Sequence, residues 1–560
     1  MAILGGGIGG LSAAHELVER GFRVTVIERR DVAGGKARSF PVVGSGAGGR
    51  PDWPAEHGFR LFPAFYRHLP DVMARIPARG RGSVVDHLVP SERTEMFRDD
   101  GRRFGFDLGE LASRRARLAR ARDNLALVTD AAFAQFFDAR RGDIVRLGAA
   151  LLGYLGACEG RRLAEYEEVG WKELAVGRGA TGSFPRLMGN NLWQLFVAIR
   201  GEHMSARTAA TVWTQLTFDR VRSAAGAVRV LDGPTSDTWI TPWVDYLRAR
   251  GVAFRFDTTA LSFETDGGRI ASVTVASSDG APESLRADAF VSALPVEVFR
   301  RIALPSLAEL DPALARLARL EVGWMNGIQL YLDRELGWSR GHAIFLDSPW
   351  AVTAVSQVRL WGTGADRYGD GRARDIVSID VSDFDTPGIV HRKPARACSP
   401  TELVEEVRAQ IAAHLRGALR SRFLEARVLS FSVDPALSTG VATPHNDEPL
   451  FVNSIGSWRS RPDAVTAIEN LFLASDYVRS TTDLASMEGA NESARRAVNG
   501  ILALTGATST RCALHPLYEP SALAPLRALD ERRFARGLPQ LSFGGREGAS
   551  AEPIAVTLGE

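Results

Sequence analysis

Short apolar runs bounded by glycine alternate along this chain with stretches in which apolar residues return every three or four positions, the signatures of buried strands and amphipathic helices. Ala2-Ile3-Leu4 opens as a strand, Leu11 to Arg20 carries a helical face at Leu11, Ala14, Leu17 and Val18, and Val24 to Ile27 returns to a strand. That order predicts a strand, helix and strand on a parallel sheet. The first strand is short behind Met1, which leaves a start further upstream open. From about 108 to 215 the spacing is mostly helical, at Leu108, Leu111, Leu118, Leu125, Leu127, Phe133 and Phe137, and predicts an inserted helical subdomain. Trp239 to Arg250 is an amphipathic helix, and Gly251 to Phe256 is a strand that re-enters the first unit. Strands over Ile270 to Ala276 and Ala289 to Pro295 continue the sheet pattern. Gly327 to Leu332, Ile376 to Val381 and Ala426 to Val433 predict a separate mixed sheet, expected to floor a cavity. Asn470 to Asp476 is a buried strand ending in a carboxylate, and Ala485 to Ala490 starts a helix.

The chemistry sits between the first elements. Gly5, Gly7 and Gly10 stand at the GxGxxG spacing within Gly5-Gly6-Gly7-Ile8-Gly9-Gly10. Such glycines permit a tight turn, close approach of backbone to a pyrophosphate, and close packing of helix on strand. The pyrophosphate then rests on a helix N-terminus, where unpaired N–H groups favour an anion. Glu28 ends the second strand at roughly the spacing, about 20 residues, at which an acidic side chain accepts from ribose hydroxyls. A carboxylate there repels a 2′-phosphate. Gly34-Gly35-Lys36 follows, and a second glycine pair after the acidic residue separates flavin from nicotinamide sites.

Composition narrows the class. The chain has 560 residues, 45% hydrophobic and 24% charged, with a net charge of +2, enough for a core and two or three domains. No basic block interleaved with aromatics supports nucleic-acid binding. Cys158, Cys398 and Cys512 are isolated and lack metal-ligand spacing, so a reducing cytoplasm is expected and no metal site is. No signal peptide precedes the glycines, and no apolar run reaches the roughly 18 to 20 residues that span a bilayer. Leu147 to Cys158 is the longest candidate, read as a buried helix or as a surface that touches lipid.

Four motifs carry a family resemblance: Gly34-Gly35-Lys36, Glu56-His57-Gly58-Phe59-Arg60-Leu61-Phe62, Leu473-Ala474-Ser475-Asp476, and Ala485-Ser486-Met487-Glu488-Gly489-Ala490. With them the chain resembles the plant- and cyanobacterial-type carotenoid desaturases, within the flavin amine oxidase and carotenoid desaturase superfamily. The resemblance covers the FAD domain and, more loosely, the order of the chain. It implies an α/β fold: a glutathione-reductase-like, Rossmann-type FAD-binding domain, a mixed-sheet substrate domain and the inserted helices. FAD, held without a covalent link, is then expected on Gly5, Gly7, Ile8, Gly9, Gly10, Glu28, Arg29, Gly34, Gly35, Lys36, Gly58, Phe59, Asp476 and Met487. Asp476 would accept from a ribityl hydroxyl or order the pyrophosphate, and the helix starting near Met487 would point N–H groups at the flavin pyrimidine.

Arg60 stands where the desaturases usually place His, close to the flavin ring; Arg60 and His57 are the catalytic candidates, and an ion pair between Arg60 and Glu56 is the structural alternative. The strand Trp324 to Leu330 lacks the lysine common in amine oxidases, and Ser486 stands where they often place Tyr. The expectation is therefore an FAD-dependent desaturase or dehydrogenase of a hydrophobic isoprenoid or polyene. Candidate walls are Phe62, Phe65, Tyr66, Trp193, Phe196 and Trp324. A flavin amine oxidase, a ring-aromatising dehydrogenase, a redox-neutral flavin isomerase and a binding protein like the Rab GDP-dissociation inhibitors stay open. So do the electron acceptor, oxygen or a quinone, and a peripheral membrane contact. The expected organisation is an FAD domain from 1–70, 231–300 and 440–510, a substrate domain from 71–107 and 301–439, a helical subdomain over 108–230, and a C-terminal extension over 511–560 whose end has little to bury.

Overall fold

A computed structural model describes residues 1–107, 131–218 and 228–541. The expected apolar positions Leu108, Leu111, Leu118, Leu125 and Leu127 and the end of the C-terminal extension lie outside the described residues.

Five short strands form a parallel sheet in the order Ala253–Arg255, Thr25–Ile27, Ala2–Leu4, Phe290–Ser292, Leu471–Leu473. Their side chains are mostly apolar and buried, as expected for a sheet covered on both faces. The helix Ile8–Val18 packs against the helix Met487–Thr505 through Ala13, Ala14, Ala494, Ala497 and Val498, and buried Ser12 accepts a hydrogen bond from Asn491 at 2.8 Å. Two glycines let the start of Ile8–Val18 sit close against the ends of the neighbouring strands. Gly5 has φ of 102°, a left-handed conformation that favours glycine, and a Cβ on Gly9 would lie 1.9 Å from the carbonyl oxygen of Ala474. The predicted strand Ile270 to Ala276 does not join this sheet. It is the middle, Arg269–Ser277, of an antiparallel meander with Thr258–Asp266 and Glu283–Leu285.

The predicted mixed sheet exists and is larger than expected. It has seven strands in the order Val428–Val433, Asn326–Leu332, Asp375–Val381, Val352–Ser356, Gly341–Phe345, Arg93–Phe97, Arg103–Asp107, antiparallel except where Gly341–Phe345 runs beside Arg93–Phe97. The central strands are buried at every position, which hides their two-residue alternation in a sequence of continuous apolar and small residues. On one face Ile328, Leu330, Ala343, Phe345, Val352, Ala354, Val377 and Ile379 form a core with Leu403, Val407 and Ile411 of the helix Pro400–His414. Register places Gly327, Asp380, Thr353, Ile344 and Met96 in a row across the other face, with His342 and Thr94 beside them.

The segment Glu56 to Arg60 crosses that second face. Gly327 donates its N–H to the His57 carbonyl at 2.6 Å, and a Cβ on Gly327 would lie 2.7 Å from the Glu56 oxygen and 2.9 Å from that of His57. Next to this crossing Tyr331 stacks on Trp53 with ring centroids 4.7 Å apart and donates to the Pro54 carbonyl.

Helices cover the cavity face from the far side. Leu187, Met188, Leu192, Trp193, Leu195, Val212, Phe133 and Phe137 share one core with Met96 and Ile344 of the sheet. The helix Arg141–Gly156 buries Leu147, Tyr154 and Leu155 but leaves Val145 and Leu152 exposed, so the apolar run there is buried on one face only. No helix among the described residues is long and apolar enough to cross a membrane. Because Gly327 sits directly under the 56–60 crossing, Gly327→Ala should cost about 1–3 kcal/mol of overpacking. A lowered apparent melting temperature checks this; unchanged melting would mean the crossing yields without strain.

Candidate active site

The parallel sheet delivers its polar residues to one edge. Gly5, Glu28, Thr258, Ala293 and Asp476 all follow the carboxyl ends of its strands, where ligands of open α/β sheets bind. Gly5, Gly7, Ile8, Gly9, Glu28, Arg29, Gly34, Gly35, Lys36, His57, Gly58, Phe59, Arg60, Asp476 and Met487 line one cavity of about 640 Å³. Of the expected cofactor residues, Gly10 alone is not on its wall; it packs inward, and a Cβ there would lie 1.9 Å from the Gly5 carbonyl oxygen.

The residues present fit a dinucleotide. A Cβ on Gly7 would meet only the Gly35 Cα, at 3.8 Å, so the backbone at the start of Ile8–Val18 faces open cavity where a pyrophosphate needs room. Glu28 is aimed by the backbone: its two carboxylate oxygens accept from Gly6 N–H at 2.7 Å and Arg30 N–H at 3.0 Å, leaving other lone pairs for ribose hydroxyls. Burial raises the Glu28 carboxyl from its ordinary value, against those two hydrogen bonds. At the opposite end Ser486 caps the helix Met487–Thr505 by accepting from Gly489 N–H at 3.1 Å, and Met487 reaches the cavity wall.

The C-terminal helix also fixes the walls. Glu488 accepts from the N–H groups of Arg67, His68 and Leu69 at 2.6, 2.7 and 3.0 Å, capping the helix His68–Ala74 from a distance of some 420 residues in sequence. Phe65 and Tyr66, just ahead of that helix, therefore face the cavity, as do Trp193 and Phe196. Two expected wall residues do not. Phe62 is fully buried edge-on to Trp239, and Trp324 packs on Phe384 with Arg396 above its ring. Phe62 lies in one core and Trp324, between the strands Val322–Gly323 and Asn326–Leu332, packs against another.

Arg60 donates to the carbonyls of Lys36, Gly58 and Phe59. Glu56 instead accepts from the Thr235 N–H at 2.9 Å and hydroxyl at 2.8 Å, so the direct Glu56–Arg60 ion pair is not formed; Arg60 acts on Glu56 only through space. Burial lowers the Arg60 guanidinium pKa, opposed by Glu56, Asp380 and Asp434. His57 contacts Asp434 through Nδ1 and lies 3.7 Å from Glu448. These three could geometrically surround a cation, but Glu448 already takes Arg38 at 3.0 Å and Arg30 at 2.8 Å. Burial favours its neutral form, yet Arg38, His57 and Arg30 hold the Glu448 carboxyl down to about 2.

Three residues on the same wall were not anticipated. Asp380, Thr353 and His342 lie on the cavity face of the seven-stranded sheet, and Asp380 Oδ1, Thr353 Oγ1 and His342 Nε2 have no hydrogen-bond partner among the described residues. Burial pushes the Asp380 carboxyl up to about 7 despite Arg60, and burial alone lowers His342 to about 3. His342 is wedged edge-on against Phe59 with ring centroids 5.1 Å apart. In sequence, the only signal was polar residues at alternate positions, Ser378 and Asp380, inside a strand otherwise read as continuous and apolar.

Comparison with known proteins agrees with this geometry. The family model for flavin containing amine oxidoreductase matches residues 8–502. The chain belongs to that family. It is 25% identical over 516 residues to a zeta-carotene desaturase of Solanum lycopersicum, covering 89% of this chain and 80% of that one. It is 24% identical over 528 residues to a 15-cis-phytoene desaturase of Synechococcus elongatus, covering 93% and 100%. Among solved structures, putrescine oxidase bound to putrescine aligns with a TM-score of 0.58 at 13% identity, over 89% of this chain and 98% of that one. Cyclohexylamine oxidase from Brevibacterium oxydans aligns with a TM-score of 0.56 at 15% identity, over 90% and 99%. The chain is an FAD-dependent oxidoreductase of this fold.

The buried acid gives a pH test. Asp380 is raised from the ordinary carboxylate value near 4, so the folded state holds a proton that the unfolded chain has lost. Its contribution is present below about pH 4 and is lost as pH rises through about 7, on the order of 4 kcal/mol at most. The melting temperature of wild type should therefore fall relative to Asp380→Asn between pH 5 and pH 8. Parallel curves would mean Asp380 is ionised when folded.

Proposed function

We propose that this oxidoreductase is a desaturase or dehydrogenase that removes two hydrogens from adjacent carbons of a hydrophobic isoprenoid or polyene. The continuity of the cavity carries the reading: the same space that begins at Gly7 and Glu28 runs past Phe59 and Arg60 into a chamber walled by Phe65, Met96, Phe133, Phe137, Trp193 and Leu216. FAD supplies the hydride acceptor when bound. The chain would hold it through Gly5, Gly7, Gly9, Gly34, Gly35, Glu28, Asp476 and the N–H groups near Met487. The aromatic and aliphatic walls bind an extended apolar chain and exclude water from the reacting carbons.

Arg60 does two things in this reading. Pinned by the carbonyls of Lys36, Gly58 and Phe59, it presents a fixed cation at the junction of the two spaces. A fixed cation favours negative charge developing nearby and disfavours a protonated amine, which sets this cavity against amine oxidation. His57, tied to Asp434 and close to Glu448, is a positioning residue that holds the 56–60 segment rather than a proton carrier. The named activities of the curated relatives, on zeta-carotene and phytoene, support the polyene class. Oxygen or a quinone would take the electrons onward.

Anaerobic mixing of the flavin-loaded protein with polyenes, carotenoid precursors and amines tests the proposal directly. Bleaching of the oxidised-flavin absorbance by a polyene, with a product lighter by two hydrogens, is the expected result. Bleaching by an amine alone would overturn it.

A further inference from the structure

A chamber built only for hydrocarbon would gain nothing from polar groups in its wall, and buried polar atoms without partners cost free energy. This wall keeps several. On the cavity face of the seven-stranded sheet, Thr353 pairs in register with Asp380 on one side and with Ile344 on the other, and His342 stands two residues from Ile344 on the same face. Directly opposed residues on neighbouring strands bring their Cβ atoms to about 5 Å, and diagonal ones to about 7–8 Å. Asp380, Thr353 and His342 therefore form one patch, and each carries a buried oxygen or nitrogen with no partner among the described residues. Trp193, on the helical wall, likewise has an unpartnered Nε1.

The 56–60 crossing closes the patch from above. A Cβ on Gly58 would lie 2.7 Å from Asp380 Oδ1, so the carboxyl sits tight against the backbone there, while the Phe59 ring abuts His342. Arg60 is near enough to act on Asp380 electrostatically. The donors and acceptors are complementary: a neutral carboxyl or a hydroxyl can donate to an oxygen, and the imidazole and carboxylate can accept from one. The fixed cation of Arg60 disfavours a second cation beside the patch.

We infer that Asp380, Thr353 and His342 form a subsite for a single neutral oxygen function, a hydroxyl or carbonyl, on an otherwise apolar isoprenoid. The inference rests on the isoprenoid reading above and narrows it: the substrate is an oxygenated terpenoid rather than a bare hydrocarbon. The cost of the unpartnered groups is then recovered when the ligand oxygen enters, which makes the site selective in the way a hydrogen-bonding pocket rejects analogues that lack the group.

The test is a binding titration of the flavin-loaded protein, read by quenching of tryptophan fluorescence, since Trp193 and Trp213 line the chamber. The probes are farnesol and farnesene, which share a carbon skeleton; farnesol carries a hydroxyl where farnesene carries a fourth double bond. Wild type should bind the alcohol about tenfold more tightly, the value of one well-placed hydrogen bond. Thr353→Val and Asp380→Leu should each bring the ratio of the two affinities toward one. Thr353→Val, which replaces an orphaned hydroxyl by a methyl of the same shape, should also melt no lower than wild type; a merely structural hydroxyl would give the opposite. Equal affinity for the two probes in wild type, or a preference that survives both substitutions, would overturn the subsite. Failure of the isoprenoid reading itself shows separately, as the absence of flavin bleaching by any polyene.

Discussion

The structure depends on one close contact between backbones. The N–H of Gly327 meets the His57 carbonyl at 2.6 Å, and only a residue without a Cβ lets the two chains come that near. The contact lays the segment from Glu56 to Arg60 across the seven-stranded sheet, and that segment continues from the strands that follow the dinucleotide glycines. Through it the nucleotide half and the sheet half share a boundary. Phe59, Arg60 and Asp380 meet at that boundary because the crossing lays Phe59 and Arg60 over the strand position that Asp380 holds by register with Gly327.

A second constraint fixes the boundary from the other end. Glu488 and Ser486 sit side by side at the start of one helix, and they cap different things: Ser486 its own helix, Glu488 the helix His68–Ala74. One turn of chain thus orients the helix N-terminus toward the cavity and also sets Phe65 and Tyr66 in the wall. The pair of buried Arg495 and exposed Asp71, with Arg495 also donating to the His68 carbonyl, holds the same junction. Residues of the motif that begins the last long helix are therefore structural pins as well.

Much of this was legible in the sequence because the signals were local. A glycine turn between a strand and a helix and an acid at a strand end each act within a few residues, and the family motif added the helix that starts near Met487, so Glu28, Asp476 and Met487 could be named and are found on one wall. The sheet residues were not legible for the opposite reason. Asp380, Thr353 and His342 come from three strands that neighbour one another in chain order, but both faces of those strands are buried, so alternation gives no contrast between inside and outside. Phe62 and Trp324 failed as wall residues because an aromatic beside a motif can turn either way, and here each turned into a core. The contact between Arg60 and Glu56 failed because Thr235, almost two hundred residues away, satisfies the carboxylate first.

One continuous cavity runs from the glycine turn past Phe59 and Arg60 into the apolar chamber, and the proposed function has the flavin and an apolar substrate meet at that junction. A crystal structure of the flavin-loaded protein soaked with an isoprenoid alcohol measures this most directly. The account predicts the pyrophosphate at the start of Ile8–Val18, the flavin ring beside Phe59 and Arg60, and the ligand in the chamber walled by Met96, Phe137 and Trp193. A flavin ring turned away from that segment, or a ligand bound outside the chamber, would contradict it.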